Sequence, residues 1–187
     1  MDDLSISPIY DTPANRYLNA AAHRLSCGNM LATYKRHGFH WDAEQFEEKW
    51  QDNKNFAVRL NGEWIGFISL KSLNDMVYLR DLQLVAQWQR RGIGSTCLSW
   101  LIDCLSKRQP HDTLLRLRAF SDSPAIALYE RHGFVRLEEP FTPTRAGGII
   151  AMQRKVKTGA RAMTSSEMSS PPLRHDAIAE SSAASLQ

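Results

Sequence analysis

Apolar and polar residues alternate in several short segments of the chain, a pattern typical of strands that bury one face. Two such segments, residues 56–60 and 64–70, flank the dipeptide Asn61-Gly62, which predicts a tight hairpin turn. The same reasoning predicts further strands over residues 4–9, 77–84, 114–120, 134–137 and 149–154.

Apolar residues at helical spacing predict helices between these strands. The first helix is expected after Pro13, with Asp11 or Thr12 as its cap. Its apolar face consists of Leu18, Ala21, Ala22 and Leu25. Gly28 is placed to end this helix, and a second helical piece is expected to stop near Gly38.

Three further helices complete the pattern. Asp42, with Gln45 three residues later, resembles a capping box and predicts a short helix in which Phe46 and Trp50 share a face. A longer helix is expected over the apolar stripe Ile93, Cys97, Leu98, Leu101 and Leu105. The last helix is expected over residues 124–132. The alternation of strands and helices predicts an α/β fold with helices on both faces of one sheet.

Residues 88–95, WQRRGIGS, join a predicted strand to a predicted helix. Gly92 and Gly94 allow a tight turn with exposed N–H groups, and the helix dipole adds positive potential, so an anion such as a pyrophosphate fits there. Arg90 and Arg91 add charge at the rim. The segment is neither a Walker loop nor a Rossmann fingerprint, and a turn that binds nothing is the plain alternative.

A second element, residues 123–134 with the sequence SPAIALYERHGF, favours anion binding over a turn that binds nothing. The order strand, QRRGIG, helix, strand, AxxLYxxxGF, strand resembles the GNAT superfamily of N-acetyltransferases over residues 4–156. The resemblance implies a mixed, mostly antiparallel central sheet, helices on both faces and a splayed cofactor wedge. It also implies acetyl-CoA as cosubstrate and a primary amine, of a small molecule or a protein, as acceptor.

The resemblance implies which residues bind acetyl-CoA. The pyrophosphate loop would comprise Gln89, Arg90, Arg91, Gly92, Ile93, Gly94 and Ser95. Main-chain groups of Leu84, Val85 and Ala86 would bind the pantetheine arm like an added strand. Many relatives have Asn where this chain has Asp122, and ionised Asp accepts but cannot donate. Either Ser123 supplies the missing donor or that contact is lost.

For direct attack of an amine on a thioester, the leaving thiolate needs a proton and the amine must lose one. Tyr129 matches the family's motif tyrosine and is the expected acid; its alternative is a packed aromatic residue. Asp81 is the carboxylate best placed to act as the base that accepts the proton of the amine. The plainer alternative is that Asp81 forms an ion pair with Arg80 or Arg118. The segment 34–41 is either a wall of the acceptor pocket or an anchor of the helices.

Composition limits the remaining choices. The 187 residues suffice for one core, and we expect a domain over residues 1–156 followed by a disordered Ser- and Ala-rich tail over 157–187. A net charge of +3 without a basic stripe does not favour nucleic acid. The three cysteines suggest neither a disulfide framework nor a metal site, and Cys97 and Cys104 are expected in the core.

Location and assembly are less constrained. The absence of a secretory signal or a long apolar run predicts a cytoplasmic protein without membrane contact, as a monomer or homodimer. Two other functional classes stay open: a non-catalytic acyl-CoA-binding or regulatory module, and an unrelated nucleotide-binding protein. The second of these leaves the LYxxxGF element unexplained.

Overall fold

The structure is a computed structural model that describes residues 3–158 except 75, 109 and 110. The predicted tail, from residue 159 onward, lies outside the described residues. Within the described residues, seven strands form one sheet in the order β1-β2-β3-β4-β5-β7-β6, in which only the β4–β5 pair is parallel. The strands are β1 (Leu4–Pro8), β2 (Lys54–Leu60), β3 (Glu63–Leu73), β4 (Met76–Leu84), β5 (Thr113–Phe120), β6 (Val135–Thr144) and β7 (Gly147–Val156).

The helices within the described part of the chain are α1 (Arg16–His37), α2 (Ala43–Asp52), α3 (Ile93–Arg108) and α4 (Ala125–Arg131). Short 3-10 turns over Pro13–Asn15 and Ala86–Trp88 precede α1 and α3. The predicted cap of α2 is confirmed, because the backbone N–H of Gln45 donates to Asp42 Oδ1 at 2.9 Å. Asn61 and Gly62 both have positive φ, 51° and 82°, as the predicted two-residue hairpin requires.

The prediction that Gly28 ends the first helix is wrong. The helix α1 runs without interruption to His37, and it ends where Gly38 adopts a left-handed φ of 85°. Gly28 is exposed in the helix interior, and a Cβ added there would meet no atom within 4 Å. A glycine there costs only about 1 kcal/mol relative to alanine, which the packing of the long helix offsets.

The two faces of the sheet are covered by different helices. Leu115 and Leu117 of β5 lie in the main core with Leu98 and Leu101 of α3, and all four are nearly inaccessible to solvent. On the opposite face, the rings of Trp50 in α2 and Phe67 in β3 meet edge to face, with centroids 5.4 Å apart. Helices therefore lie on both sides of a mixed, mostly antiparallel sheet, as the sequence predicts.

The prediction that Cys97 and Cys104 lie in the core is confirmed fully for Cys97 and partly for Cys104. Cys97 is fully buried on the core side of α3, and burial raises the pKa of its thiol to about 12. Cys104 is half-buried two turns later. Both are free thiols in the structure.

Candidate active site

The site is built on a wedge between β4 and β5. These strands pair only from Met76 to Tyr78 of β4, opposite Leu114 to Arg116 of β5. Beyond Tyr78 the β4 strand carries a bulge at Arg80, where the pairing with β3 shifts by one residue. The strands diverge from that point, and this is the splayed wedge that the family resemblance implies.

Main-chain groups of β4 line the open side of the wedge. The N–H of Val85 donates to Ile65 O at 2.9 Å, which makes Gly66–Leu84 a non-hydrogen-bonded pair of the β3–β4 ladder. The N–H and C=O of Leu84 therefore face away from β3, toward the wedge. The alternation of the ladder turns Leu82 the same way. Sequence reasoning missed Leu82, although the two-residue period of strand hydrogen bonding indicates it.

The structure gives less direct support for Val85 and Ala86, the other two residues expected to bind the pantetheine arm. The N–H of Val85 is directed to β3, and Ala86 opens the short 3-10 turn after β4. The carbonyl of Leu84 accepts from Gln89 Nε2 at 2.8 Å and from Asn29 Nδ2 at 3.1 Å. The side chain of Gln89 thus fixes the loop to the end of β4.

The loop between β4 and α3 has the backbone of an anion cradle. Arg90 and Gly92 both adopt positive φ, 57° and 85°. The first helical bond runs from Thr96 N–H to Gly92 O at 3.1 Å, so the N–H groups of Ile93, Gly94 and Ser95 precede it and have no partner within the helix. These donors and the positive end of the 16-residue helix favour a negative group.

The side chains around the loop fit the same purpose. Arg90 and Arg91 are exposed, and the Arg91 guanidinium lies 5.1 Å from the centre of the Trp88 ring. A Cβ at Gly94 would lie 3.3 Å from Leu128 Cδ2, so glycine there lets α3 approach α4 closely. Open space surrounds Gly92, which keeps the loop accessible.

Ser95 is oriented by a histidine that follows α4. Its Oγ lies 3.0 Å from His132 Nε2, and His132 Nδ1 lies 2.9 Å from the carbonyl oxygen of Leu128. A carbonyl only accepts, so Nδ1 carries a proton and a neutral imidazole accepts the hydroxyl proton of Ser95 at Nε2.

Tyr129 lies on α4 and is half-buried, with its ring edge to face against Phe134 at 5.7 Å. Burial, and then the negative charge of Asp81, raise the pKa of Tyr129 to about 12. The phenol is therefore protonated throughout the physiological range and can donate a proton. Asp81 and Tyr129 are thus close enough for the charge of one to act on the other.

Asp81 follows the bulge on β4. Burial raises its pKa, while the side-chain amide of Gln83, 3.3 Å away, and the charges of Arg80 and Lys49 oppose the rise. Among the described residues no cation lies within 4.0 Å of the Asp81 carboxylate, so the ion pair with Arg80 or Arg118 considered above does not form at contact distance. A carboxyl group with a raised pKa suits a base at neutral pH.

Asp122 and Ser123 follow β5. The Asp122 carboxylate accepts from Arg36 Nη2 at 2.7 Å and from His37 Nε2 at 2.9 Å. Desolvation raises the pKa of Asp122, but the hydrogen bonds from His37 and Arg36 outweigh it and hold that pKa below its usual value. Ser123 Oγ accepts from Ala125 N–H at 3.2 Å, which leaves its own proton available for donation.

The segment 34–41 anchors helices to the sheet. The rings of Tyr34 and Phe39 lie 5.8 and 6.0 Å from that of Phe120 on β5, and Trp41 lies 5.8 Å from Phe46 of α2. The contacts support the anchoring interpretation of this segment over the pocket wall. Burial, and then the charge of Asp81, raise the pKa of Tyr34, whereas the charge of Arg80 lowers it.

Comparison with known proteins agrees with this geometry. Residues 20–134 match the model of the acetyltransferase (GNAT) family. The [ribosomal protein bS18]-alanine N-acetyltransferase of Escherichia coli K12 is 32% identical over 116 residues, which are 60% of this chain and 78% of that protein.

Solved structures show the same fold. The structure of the Escherichia coli ribosomal-protein-S18-alanine N-acetyltransferase superposes with a TM-score of 0.62 at 25% identity, covering 87% of this chain and 99% of that one. Spermidine N-acetyltransferase from Vibrio cholerae gives a TM-score of 0.63 at 16% identity, covering 82% and 95%. With its wedge, its anion cradle and a family match over more than half of its length, this chain belongs to the acetyltransferase (GNAT) family.

Proposed function

We propose that the protein transfers the acetyl group of acetyl-CoA to a primary amine of a small molecule or a protein, by direct attack within a ternary complex. The observation that carries the proposal is the pairing of an open strand edge on β4 with an anion cradle at its end. The helix α4, which carries Tyr129, approaches the first turn of α3 closely at Gly94 and Leu128. Acetyl-CoA supplies an activated acetyl thioester.

The residues of the wedge fit this cosubstrate. The N–H and C=O of Leu82 and the N–H of Leu84 face the gap between β4 and β5 and offer partners to the amides of the pantetheine arm, whereas the C=O of Leu84 is bound by Gln89 and Asn29. The N–H groups at the start of α3 and the guanidiniums of Arg90 and Arg91 offer donors to the pyrophosphate. The Vibrio cholerae neighbour was crystallised with CoA and spermine, which supports a CoA thioester as the cosubstrate.

We assign the acid to Tyr129 and the base to Asp81. Tyr129 holds its proton because its pKa is about 12, and it delivers that proton to the departing sulfur. Asp81, whose pKa is raised by burial, accepts the proton of the incoming amine, directly or through water. In this assignment Asp122 holds α1 in place, and Ser123 is the donor that remains for the cosubstrate.

Cellular location and assembly belong to the same proposal. In the described part of the chain, no helix combines the length and apolar character needed to cross a membrane. The Escherichia coli relative acts on a ribosomal protein, which supports a cytoplasmic location for this chain too. A monomer or homodimer is the proposed assembly.

Two measurements test the proposal. Calorimetry with CoA measures binding, and release of free thiol from acetyl-CoA over a panel of amines and peptides measures transfer. We expect CoA to bind and at least one acceptor to be acetylated. Heat of binding without turnover on any acceptor would support a non-catalytic acyl-CoA-binding module, and the absence of CoA binding at millimolar concentration would refute the proposal.

A matched pair of variants locates the binding site. Gly92 and Gly62 have nearly the same φ, 85° and 82°, and at both positions an added Cβ meets no atom within 4 Å. Alanine at either position therefore imposes the same backbone strain, about 1–2 kcal/mol. Only Gly92→Ala is expected to weaken CoA binding, by about tenfold or more, because only Gly92 lies in the cradle. Equal CoA affinities in the two variants would contradict the placement.

A further inference from the structure

Three arginines surround the point where β4 and β5 part. Arg116 is paired in register with Tyr78 at the last contact between the strands, and Arg118 and Arg80 follow two residues later on the two diverging arms. Leu115 and Leu117 are buried in the core on the α3 side, so the alternate residues Arg116 and Arg118 lie on the opposite face.

Arg80 lies on that same face. Its guanidinium is 5.6 Å from the centre of the Tyr78 ring, and its charge affects the pKa of Tyr34 on α1 and of Lys49 on α2. Burial raises the pKa of Tyr78, and the charges of Arg118, Arg80 and Arg116 all oppose that rise. The three guanidiniums therefore lie around one phenol, beside Asp81.

The arginines have no acidic partner in contact. Arg116 Nε donates to Gln153 Oε1 at 3.1 Å, and Arg118 Nη2 donates to Thr142 Oγ1 at 2.6 Å. Arg118 Nε is buried with no hydrogen-bond partner. None of the ion pairs formed by the described residues includes Arg80, Arg116 or Arg118.

Lys49 of α2 adds a further cationic side chain near Arg80. Burial and the charge of Arg80 lower the pKa of Lys49, whose ammonium donates to Gln45 Oε1 at 2.6 Å. The charges of Asp81, Asp42 and Glu48 oppose the fall in the pKa of Lys49, and Arg80 and Lys49 both act on Asp81. Arg116 and Arg118 are half-buried and Arg80 is exposed, and none of the three is in an ion pair with another described residue. Because hydrogen bonds between a guanidinium and an anion are stronger than those to neutral groups, this cluster favours an anion from outside the chain.

We infer that the acceptor is an amine accompanied by a side-chain carboxylate, either an acidic amino acid or the amino terminus of a peptide with acidic side chains. This inference rests on the proposed function. Arg80 and Arg118 bind the carboxylate through N–H···O bonds at the mouth of the wedge, and the amine is thereby directed toward the adjacent Asp81. Arg80 and Arg118 are specificity-determining residues, and the reaction itself uses Tyr129 and Asp81.

The test measures both binding and transfer with paired probes. Glutamate is compared with glutamine, and the peptide amide Ala-Glu-Glu-Ala with Ala-Gln-Gln-Ala, by calorimetry on the protein saturated with CoA and by thiol release from acetyl-CoA. For at least one of the two pairs, we expect the acidic probe to bind about tenfold more tightly than its neutral partner and to react with a KM about tenfold lower. The pair that shows this difference distinguishes a free amino acid from a peptide.

Variants assign the effect to the cluster. Arg80→Gln and Arg118→Gln are expected to raise the KM of the preferred acidic probe about tenfold each, with the KM of acetyl-CoA unchanged. Arg59→Gln is the matched control, because Arg59 lies on β2 and its guanidinium donates to Ser7 on β1. The preference of wild type for acid over amide is expected to shrink in the first two variants and to persist in the control.

The outcomes separate the two proposals. Acidic probes that bind no better than their amides, or that do not bind at all, overturn the inference about the acceptor. If amines without a carboxylate are acetylated equally well, the proposed function stands and this inference falls. A protein that binds neither CoA nor any probe refutes both.

Discussion

His37 Nε2 lies 2.9 Å from Asp122 Oδ1, and the imidazole ring is completely buried while the carboxylate is about one-third exposed. An ionised carboxylate only accepts, so Nε2 must carry a proton. On its other side, Nδ1 lies 2.6 Å from Thr144 Oγ1 at the end of β6. One side chain thus joins the end of α1, the loop after β5 and the β6–β7 turn.

This contact predicts how Asp122→Asn will behave. The amide can still accept from His37, but the ion pair with Arg36 is lost, and we expect the free energy of unfolding to fall by about 1 kcal/mol after allowing for exposure. Because the folded pKa of Asp122 lies below the usual 3.8, the stabilisation is complete above that pH and disappears as the pH falls through the folded value. Urea denaturation of wild type and variant at pH 7, 5 and 3 measures it, and a difference that grows at pH 3 would contradict the assignment.

Tyr129→Phe tests the acid. Removing the hydroxyl group should lower kcat by about a hundredfold or more, with little effect on CoA affinity, since the ring still packs on Phe134. The pKa of about 12 adds a constraint, because ionisation of Tyr129 cannot reduce activity below about pH 10. Tyr10→Phe, at a side chain that is 67% exposed, is the control. A Tyr129→Phe protein that keeps the kcat of wild type would exclude this role.

Sequence patterns predict the elements of this fold more reliably than their ends. The Asn61-Gly62 turn and the Asp42 cap depend on neighbouring residues, and the structure confirms both. The edge strand β6 extends to Thr144, well beyond the predicted residue 137, because most of its side chains are exposed and carry no apolar alternation. The prediction for Gly28 is wrong because helix-ending glycines differ from tolerated ones in φ, which the sequence does not reveal.

For the site residues too, local features are predictable from the sequence and contacts between distant residues are not. The glycine loop is contiguous, and its positive φ values fall within the predicted segment. The contact between His37 and Asp122 joins residues 85 positions apart, and only the packed fold reveals it. The orientation of Leu82 toward the wedge depends on the ladder register between β3 and β4, which a bulge at Arg80 alters. The arginine cluster likewise appears only once β4 and β5 are placed side by side.

Gly28→Ala should stabilise the protein. The position is helical, exposed and free of neighbours within 4 Å, so an added methyl group restricts the unfolded chain without a clash. We expect the free energy of unfolding to rise by about 0.5–1 kcal/mol, measured by urea denaturation, with CoA binding unchanged. A loss of stability would show that α1 is not continuous through residue 28.

Gly66→Ala should have the opposite effect. A Cβ at this position would clash with the carbonyl oxygen of Gln83 and lie 3.0 Å from Leu84 Cα, so β3 and β4 must separate beside Leu84. We expect a loss of about 1–3 kcal/mol in the free energy of unfolding and weaker CoA binding. Gly28→Ala is the control for the added methyl group. Unchanged CoA affinity in a folded Gly66→Ala protein would argue against Leu84 as part of the pantetheine site.

Asp81→Asn should trade activity for stability. Burial raises the folded pKa of Asp81 above the usual 3.8, so its contribution to stability is complete below that pH and is lost as the pH rises through the folded value. An amide avoids the cost of burying the charge and keeps a hydrogen-bonding partner for Gln83, and the midpoint of thermal unfolding at pH 7 should therefore rise.

Without the base, kcat of the Asp81→Asn protein should fall by about a hundredfold or more, and the acidic limb of the pH–rate profile should disappear. Asp103→Asn, at an exposed ion pair with Lys107, should change neither quantity appreciably. If Asp81→Asn were less stable than wild type at pH 7 and retained full activity with the same pH profile, Asp81 would be a structural residue, and the proton acceptor would have to be sought among water molecules bound at the site.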